Sequence, residues 1–369
     1  MSETSIPESS LPLSSPVRIG LIGLGAVGQQ HLDSARKLTD GVITAVCDAR
    51  ADLAESTARA RGVVRWTSSA QEVFDDPEVD AVLLALPAGI RAALAEAAFR
   101  AGKHVLLEKP VAMNAAEVRA LLAAQGDRVA ACCSSRLRHY ASARAARQYV
   151  TTGALGAFRT ITCRVIAPAG APPAKPPPAW RLNRSLNGGG ILVNWGSYDL
   201  DYLLGILGFD LEPEYAFARV WSAPAPYAHY PAPGSDAETH VVATIGFKGG
   251  AALHYERAEC ALEPPARSWR ITGAKAALTL EMAPAKGANV LVSEPDPARG
   301  TVTRPLWEGD ESGWANFNDG PLLDFASAIR HRRPPLTSLR DALLIARITE
   351  GIYRSADSGR PLNFAEAGI

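Results

Sequence analysis

Short apolar runs alternate with amphipathic stretches along the first third of the chain. The apolar runs are VRIGLIG from Val17, VITAVCD from Val42, AVLLALP from Ala81, HVLLEKP from His104 and VAACCS from Val129. Between them, segments such as QQHLDSARKL and RAALAEAAFRAG repeat apolar residues at helical spacing. Buried parallel strands joined by crossover helices have this pattern, so residues 17–134 are predicted to form a doubly wound α/β domain of the Rossmann type.

The pattern changes after a helix predicted near Ala141–Thr152. The strand-like runs FRTITCRVIA, YAFARVWSA, THVVATIGF, AALHYERAE, RSWRITGA and ALTLEMA follow, and they predict a mostly antiparallel sheet. The proline-rich segment Ala167–Trp180 is predicted to be a loop near the cleft, because proline lacks the N–H group that strands and helices need. Two helical stretches, PLLDFASAIRH and LRDALLIARITEGIYRSA, close this second α/β domain of residues 135–369 and are predicted to pack back on the interdomain region.

Length and charge narrow the class of partner. A chain of 369 residues exceeds what one hydrophobic core usually organises, which agrees with two domains. Its 38 basic and 38 acidic side chains balance, so no overall field attracts nucleic acid or an anionic membrane. The expected partner is therefore a small molecule.

The cysteines and the N-terminal segment bear on location. The five cysteines are an odd number without metal-ligand spacing, which favours free thiols in a reducing cytoplasm and predicts no metal site. Residues 1–16 are rich in Ser and Pro and lack the apolar run of a signal peptide, so they are interpreted as a flexible tail. No stretch approaches the roughly 20 apolar residues of a membrane span. The chain is expected to be cytoplasmic.

A glycine-rich turn follows the first predicted strand. It reads Gly23-Leu24-Gly25-Ala26-Val27-Gly28 and precedes a predicted helix. In this setting the first glycine allows a tight turn, the second lets the backbone approach a pyrophosphate, and the third permits close helix packing. The N–H groups of the helix start, at Ala26 and Val27, would bind the phosphates. The alternative interpretation is a flexible turn, and the strand and helix on either side favour a dinucleotide site.

Asp48 ends the second predicted strand, 20 residues after Gly28. A carboxylate at this position can bind both ribose hydroxyls and repel a 2′-phosphate, which favours NAD(H) over NADP(H) as the cofactor. Arg50 complicates this preference, because a nearby guanidinium can accept a 2′-phosphate or stack on adenine. A solvated surface arginine is the other interpretation of Arg50.

Several motifs in the same order resemble the Gfo/Idh/MocA oxidoreductase family, which includes glucose-fructose oxidoreductase and inositol dehydrogenase. They are GLGAVG, Leu86-Pro87, EKP at Glu108–Pro110, GALG at Gly153–Gly156, WR at Trp180-Arg181, GGG at Gly188–Gly190, and the closing DFASAIRHRRPP and SADSGRP. The resemblance covers almost the whole chain. It implies a Rossmann domain, then an α/β domain whose open-faced sheet forms oligomer contacts, with the active site between the domains.

The resemblance implies that Leu86, Pro87 and Glu108 line the cofactor site and that Lys109 both contacts the cofactor and catalyses the reaction. Lys109 follows the C-terminal end of a strand, where ligands collect in doubly wound folds. The peptide bond before Pro110 can be cis and would then direct the ammonium group into the cleft. A buried lysine can donate a proton to a forming alkoxide during hydride transfer. The alternative is a solvated lysine at a strand end.

A second cluster follows the GGG motif. The family pattern Asp-x-Gly-x-His-x-x-Asp corresponds here to Asn194, Tyr198 and Asp201 in the places of the first Asp, the His and the last Asp. On a regular helix these three positions share one face. Tyrosine replaces histidine in other members, so Tyr198 is implied to be the general acid or base, with an aromatic packing role as the alternative. Asn194 can orient a substrate hydroxyl but cannot accept its proton, which argues against fast alcohol oxidation.

Further basic residues match family positions. The resemblance implies that Arg138 contacts substrate together with Asn194 and Asp201, and that Trp180 and Arg181 line the cofactor cleft. The nearby Arg136 and His139 are interpreted as surface residues. Arg91 stands where many members have histidine, and it is predicted to have no catalytic role.

The leading hypothesis is hydride transfer between NAD(H) and a secondary alcohol or ketone of a sugar, sugar derivative or cyclitol, a polyhydroxylated substrate that the family implies. A homodimer or homotetramer is the expected assembly. A second hypothesis keeps a tightly held NAD that is used transiently for elimination, epimerisation or glycoside cleavage. A third, motivated by Asn194, is a regulatory protein that binds ligand without turnover.

Overall fold

The computed structural model describes residues 15–174, 178–283, 285–314 and 317–369. Most of the predicted tail and residues 175–177 of the proline-rich segment therefore lie outside the described residues. The chain divides into two compact units. The first contains the described residues of Met1–Val111, Glu117–Arg136 and Ala315–Arg340, and the second contains those of Ala112–Ala116, Leu137–Trp314 and Asp341–Ile369.

The secondary structure follows the predicted alternation closely in the first unit. The strands are β1 (Val17–Ile22), β2 (Gly41–Cys47), β3 (Arg65–Thr67), β4 (Ala81–Leu84), β5 (His104–Leu107), β6 (Ala130–Cys132), β7 (Phe158–Pro168), β8 (Pro213–Trp221), β9 (His240–Phe247), β10 (Ala252–Ala261), β11 (Ala266–Gly273), β12 (Ala277–Leu280), β13 (Lys286–Asp296), β14 (Gly300–Asp310) and β15 (Leu362–Asn363). The α-helices are α1 (Ala26–Ala35), α2 (Ala51–Arg61), α3 (Ala70–Asp75), α4 (Ala88–Arg100), α5 (Ala115–Gln125), α6 (Ala141–Thr151), α7 (Arg184–Asn187), α8 (Ser197–Leu207), α9 (Asp319–Arg330), α10 (Leu339–Ser358) and α11 (Phe364–Ala367).

The first unit is built on a parallel sheet of six strands in the order β3-β2-β1-β4-β5-β6. This order confirms the doubly wound fold, and it brings the carboxyl ends of β1, β4 and β5 to one edge. The core is apolar on both faces of the sheet, with Ile19 and Leu83 fully buried on one face and Val82 and Leu107 on the other. Helix α9 adds Phe325 to this core from more than 200 residues further along the chain.

The second unit contains a sheet of nine strands in the order β14-β13-β12-β11-β7-β10-β9-β8-β15. Its pairings are antiparallel except for β7 with β10, which confirms the predicted mostly antiparallel sheet. The six predicted strands of this sheet are all present. Strands β13, β14 and β15 were not predicted, because their sequences lack a clear alternation of apolar and polar residues.

The helix that follows the GGG motif differs from the regular α-helix that the spacing argument assumes. It begins with a π-helical turn over Leu192–Gly196 and continues as α8. A π-turn adds a residue to the helical repeat, so the spacing of a regular α-helix does not describe Asn194 relative to the later positions, and the convergence of these side chains stays a prediction. None of the helices in the described ranges is both long and apolar enough to cross a membrane.

Candidate active site

The turn after β1 uses its three glycines for separate steric reasons. Gly23 has a φ angle of 96°, in the left-handed region that other residues rarely adopt. A Cβ atom on Gly28 would overlap the carbonyl group of Gly23, so helix α1 can pack this closely only with glycine. A Cβ atom on Gly25 would meet nothing within 4 Å. The space at the start of α1, where no side chain caps the backbone, is therefore open to a phosphate group.

Asp48 lies beside this turn at the end of β2. Its carboxylate accepts hydrogen bonds from the backbone N–H of Leu24 at 2.9 Å and from the N–H and Nε of Arg50, both at 3.1 Å. Partial burial raises the pKa of Asp48, but the hydrogen bonds from Arg50 and Leu24 outweigh it and lower the pKa below its ordinary value. An ionised carboxylate next to an open glycine turn fits the adenosine half of a nicotinamide dinucleotide.

The other predicted cofactor contacts of the first unit lie near the same sheet edge. Ala26 and Val27 are exposed at the start of α1, and Leu86 and Pro87 follow β4, which pairs with β1. Glu108 and Lys109 follow β5, the neighbour of β4. The fold therefore brings these residues to one edge, while their contact with the cofactor stays a prediction.

Glu108 is the centre of a buried ionic cluster. Its carboxylate contacts the guanidinium of Arg136 through both oxygens and lies 2.7 Å from Nε2 of His31. Burial alone would raise the pKa of Glu108, but the nearby Arg136 cation and the His31 hydrogen bond hold it well below its ordinary value. Arg136 is only 2% exposed, so its interpretation as a surface residue is wrong. An arginine is stable there because it neutralises a buried carboxylate.

His31, Glu108 and Cys133 also place three metal-type donor atoms within 4.8 Å of one another. Two properties argue against a metal ion at this cluster. Both carboxylate oxygens of Glu108 already contact the Arg136 cation, which would repel a divalent ion. Burial also raises the pKa of the Cys133 thiol well above its ordinary value, which disfavours the thiolate that binds metals.

Lys109 is half-buried directly after this cluster. Its backbone N–H donates to Oε2 of Glu108 at 3.1 Å. The peptide bond between Lys109 and Pro110 is cis, as the sequence allowed. The main chain at Lys109 is therefore tied to the Glu108 carboxylate.

In the second unit, the GGG motif packs against two distant segments. Gly188 has a φ angle of 84°, a Cβ atom on Gly189 would overlap the hydroxyl of Tyr353, and one on Gly190 would overlap the backbone of Glu238. The buried Glu238 carboxylate accepts hydrogen bonds from the N–H groups of Gly190 at 2.9 Å and Leu192 at 3.0 Å, and from the Tyr353 hydroxyl at 2.8 Å. Glu238 therefore caps the π-turn that carries Asn194.

The predicted polar residues of the second unit have different surroundings. Arg138 and Asp201, both predicted to contact substrate, pair with each other, with Nε to Oδ1 at 2.6 Å and exposed side-chain fractions of 8% and 0%. Tyr198 is 5% exposed and packs edge-on against Trp195 at 5.6 Å. Asn194 is half-buried. Since Lys109 belongs to the first unit and Tyr198 to the second, their pairing stays a prediction.

Arg181 pairs with Glu259, with Nη2 to Oε2 at 2.7 Å. The side chain of Trp180 lies outside the described residues. The contact of both with the cofactor stays a prediction.

Family models match both parts of the chain. Residues 17–132 match "Oxidoreductase family, NAD-binding Rossmann fold", and residues 143–279 match "GFO/IDH/MocA C-terminal domain". The chain belongs to the Gfo/Idh/MocA oxidoreductase family. This finding confirms the resemblance that the motifs indicated.

Relatives in this Gfo/Idh/MocA family have sugar and cyclitol names. A 1,5-anhydro-D-fructose reductase of Ensifer adhaerens is 28% identical over 93% of this chain and 97% of its own length. An inositol 2-dehydrogenase of Rhizobium meliloti is 32% identical over 52% of this chain and 55% of its own length, so the match spans about half of that relative. The structure of a levoglucosan dehydrogenase in complex with NADH superimposes with a TM-score of 0.79 at 24% identity, covering 95% and 99% of the two chains, which shows the shared fold.

Asp199 is a buried residue of this Gfo/Idh/MocA chain to which no sequence motif assigned a role. Its carboxylate is fully buried and accepts hydrogen bonds from Nη1 of Arg257 at 2.7 Å, the Tyr255 hydroxyl at 3.0 Å and Nε1 of Trp269 at 3.1 Å. The Arg257 guanidinium also lies 4.9 Å from the ring centroid of Trp195. This network fixes α8, which carries Tyr198, on strands β10 and β11. Its members lie on α8, β10 and β11, far apart in the chain, so no local sequence pattern indicated this network.

Proposed function

We propose that this chain is an NAD(H)-dependent oxidoreductase that transfers a hydride between nicotinamide and a secondary alcohol or ketone of a sugar, sugar derivative or cyclitol. The observation that carries the proposal is the ionised Asp48 carboxylate beside an open glycine turn. The names of the family relatives, among them an anhydrofructose reductase and an inositol dehydrogenase, support a polyhydroxylated substrate. The NADH bound by the structurally similar levoglucosan dehydrogenase supports the cofactor.

Each part of the chain has a task in this reaction. The glycine turn and the start of α1 would hold the pyrophosphate, and Asp48 the adenosine ribose. When bound, the nicotinamide supplies or accepts the hydride. In alcohol oxidation Lys109, as a neutral amine, takes the hydroxyl proton, and Tyr198 is the second proposed acid–base group. In ketone reduction Lys109, as an ammonium ion, returns the proton to the alkoxide oxygen.

Asp48 should also set the preference for NAD(H) over NADP(H). Asp48→Ser removes the charge that repels a 2′-phosphate and releases Arg50, which is 65% exposed, to bind that phosphate. We expect the ratio of Kd for NADPH to Kd for NADH to fall about 10- to 100-fold, which corresponds to about 1.4 to 2.8 kcal/mol. Fluorescence titration of both nucleotides measures the two constants. Asp52→Ser, an exposed carboxylate in the first turn of α2, is the matched control and should leave the ratio unchanged.

The function is tested by incubating the full chain with NAD+ or NADP+ and a panel of sugars, sugar phosphates and cyclitols while absorbance at 340 nm is recorded. Substrate-dependent reduction of the nucleotide supports the proposal. Dinucleotide binding without reduction by any member of the panel contradicts it. In that case nicotinamide retained through purification would support transient oxidation, and its absence a protein that binds without turnover.

We also propose a cytoplasmic location and a homo-oligomer. The five cysteines, none of which forms a disulfide, support the location. The assembly is supported by an exposed apolar stripe on the nine-stranded sheet. Along β8 the side chains of Tyr215, Phe217 and Trp221 are 44%, 42% and 49% exposed, and they alternate with buried residues of the opposite face.

Phe217→Asp tests the assembly. A carboxylate on an apolar contact face loses its hydration, and the Arg219 guanidinium, 5.1 Å from the centroid of the Phe217 ring, offsets only part of that cost, so we expect the variant to run as a smaller species than the wild type. Light scattering after size-exclusion chromatography measures the mass. Val64→Asp, at a residue that is 91% exposed in the first unit, is the control and should keep the wild-type mass. A monomeric wild type would refute the homo-oligomer.

A further inference from the structure

Arg91 is a buried cation whose partners are all main-chain carbonyl groups. It lies in the first turn of α4, and the residue is 3% exposed. Its guanidinium donates to the carbonyl oxygen of Glu108 at 2.8 Å and also contacts those of Pro110 and Leu86. One side chain therefore connects the turn after β4 with the loop after β5.

These contacts enclose Lys109. The carbonyl groups of Glu108 and Pro110 lie immediately before and after it in the chain, and Nη1 of Arg91 contacts both. The Lys109 N–H is held by the Glu108 carboxylate. The main chain is thus fixed at three successive residues, with Arg91 holding the carbonyl groups and Glu108 the amide.

The chemistry of the side chain explains why an arginine stands here. Burial of a guanidinium costs several kcal/mol unless its N–H groups are bonded, and burial lowers the pKa of Arg91 to about 10. Three carbonyl oxygens bind its two terminal nitrogens and offset part of that loss of water, while Nε has no hydrogen-bond partner among the described residues. The two terminal nitrogens of a planar guanidinium can reach acceptors on separate loops, which the single amide nitrogen of glutamine cannot do at once.

We infer that Arg91 is a positioning residue that holds the Lys109 backbone in the conformation required for proton transfer. The inference rests on the proposed function of Lys109. A catalytic group that is displaced by about 1 Å can lose about 100-fold in rate. Loss of Arg91 should therefore reduce kcat through Lys109, without removing any group that contacts the cofactor.

The test compares Arg91→Gln with Arg100→Gln, a matched change at the exposed end of the same helix, where the side chain is 67% exposed. Hydrogen exchange measured by mass spectrometry follows the amides of residues 104–113 and, as an internal reference, those of β1. Steady-state kinetics give kcat per NADH-binding site, counted by fluorescence titration, and the KM for the best substrate. Arg91→Lys, which keeps the charge and part of the hydrogen bonding, is the second variant if Arg91→Gln does not fold.

We expect Arg91→Gln to raise the rate of amide hydrogen exchange in residues 104–113 at least about tenfold and to leave the rate in β1 unchanged. We also expect it to lower kcat per NADH-binding site about 10- to 100-fold, with KM changed less than about threefold. Arg91→Lys should recover part of the rate, and Arg100→Gln should resemble the wild type. Equal acceleration of exchange in both segments, or an unchanged kcat per NADH site, would mean that Arg91 only stabilises the fold. If the wild type turns over no substrate, the proposed function fails. The rate of amide hydrogen exchange in residues 104–113 of Arg91→Gln still decides whether Arg91 holds the backbone around Lys109.

Discussion

Replacing Lys109 with methionine is expected to lower kcat about 1000-fold. The Kd for NADH should rise much less, because Lys109 is one of several predicted cofactor contacts. General acid–base groups contribute about 100- to 10,000-fold to the rate, and methionine keeps the length and apolar volume of lysine without a transferable proton. The loop itself should persist, because the hydrogen bonds that Arg91 and the Glu108 carboxylate make to the residues around Lys109 end on main-chain groups, which the substitution leaves in place. The loss should therefore appear in kcat rather than in folding.

Steady-state kinetics with the best substrate of the panel, together with NADH titration, measure both constants. Lys248→Met is the matched control, since the Lys248 side chain is 62% exposed and pairs with Glu212 on the surface. It should leave kcat unchanged. A Lys109→Met enzyme with more than about a tenth of the wild-type kcat would show that another group, with Tyr198 the first candidate, transfers the proton.

Replacing Glu108 with glutamine is expected to lower the free energy of unfolding by about 3 to 5 kcal/mol. The amide is almost the same size as the carboxylate, but it removes the negative charge that pairs with the buried Arg136 cation, and breaking a buried pair on one side has this cost. Glu55→Gln removes a surface pair with Arg59 at 3.0 Å and should cost less than about 0.5 kcal/mol. The free energy of unfolding of both variants is measured by urea unfolding at pH 7. Equally small decreases in the two variants would show that the buried pair contributes little to stability.

The same carboxylate predicts a pH dependence with a definite sign. The pKa of Glu108 in the folded chain is well below its ordinary value of 4.5, because Arg136 and His31 favour the charged form despite burial. Its stabilisation is therefore complete above about pH 4.5 and is lost as the pH falls toward the folded pKa. We expect the wild type to lose stability below pH 4.5 more steeply than Glu108→Gln. The free energy of unfolding in urea is measured for both proteins between pH 3 and 5. If it falls equally in both, the ionised Glu108 carboxylate is not the source of the pH dependence.

Tertiary contacts changed the interpretation of several charged residues. Arg136 has the polarity of a surface residue, and its burial depends on Glu108, which lies 28 positions earlier in the chain. Arg91 has no local partner that the sequence could indicate, since its acceptors are backbone carbonyl groups of two separate loops. Sequence patterns report the polarity of a residue but not the groups that surround it.

The pattern of residues along the chain was enough to predict the doubly wound sheet, the mostly antiparallel second sheet, the glycine turn and Asp48 at the end of the second strand. Local periodicity and short-range backbone geometry dictate these features. Three features became visible only in the folded chain: the buried ionic cluster around Glu108, the cap that Glu238 forms on the π-turn, and the contacts by which Asp199 holds α8 on its sheet. In each case a buried charge is stable only because donors from distant segments surround it, and folding alone brings those donors together.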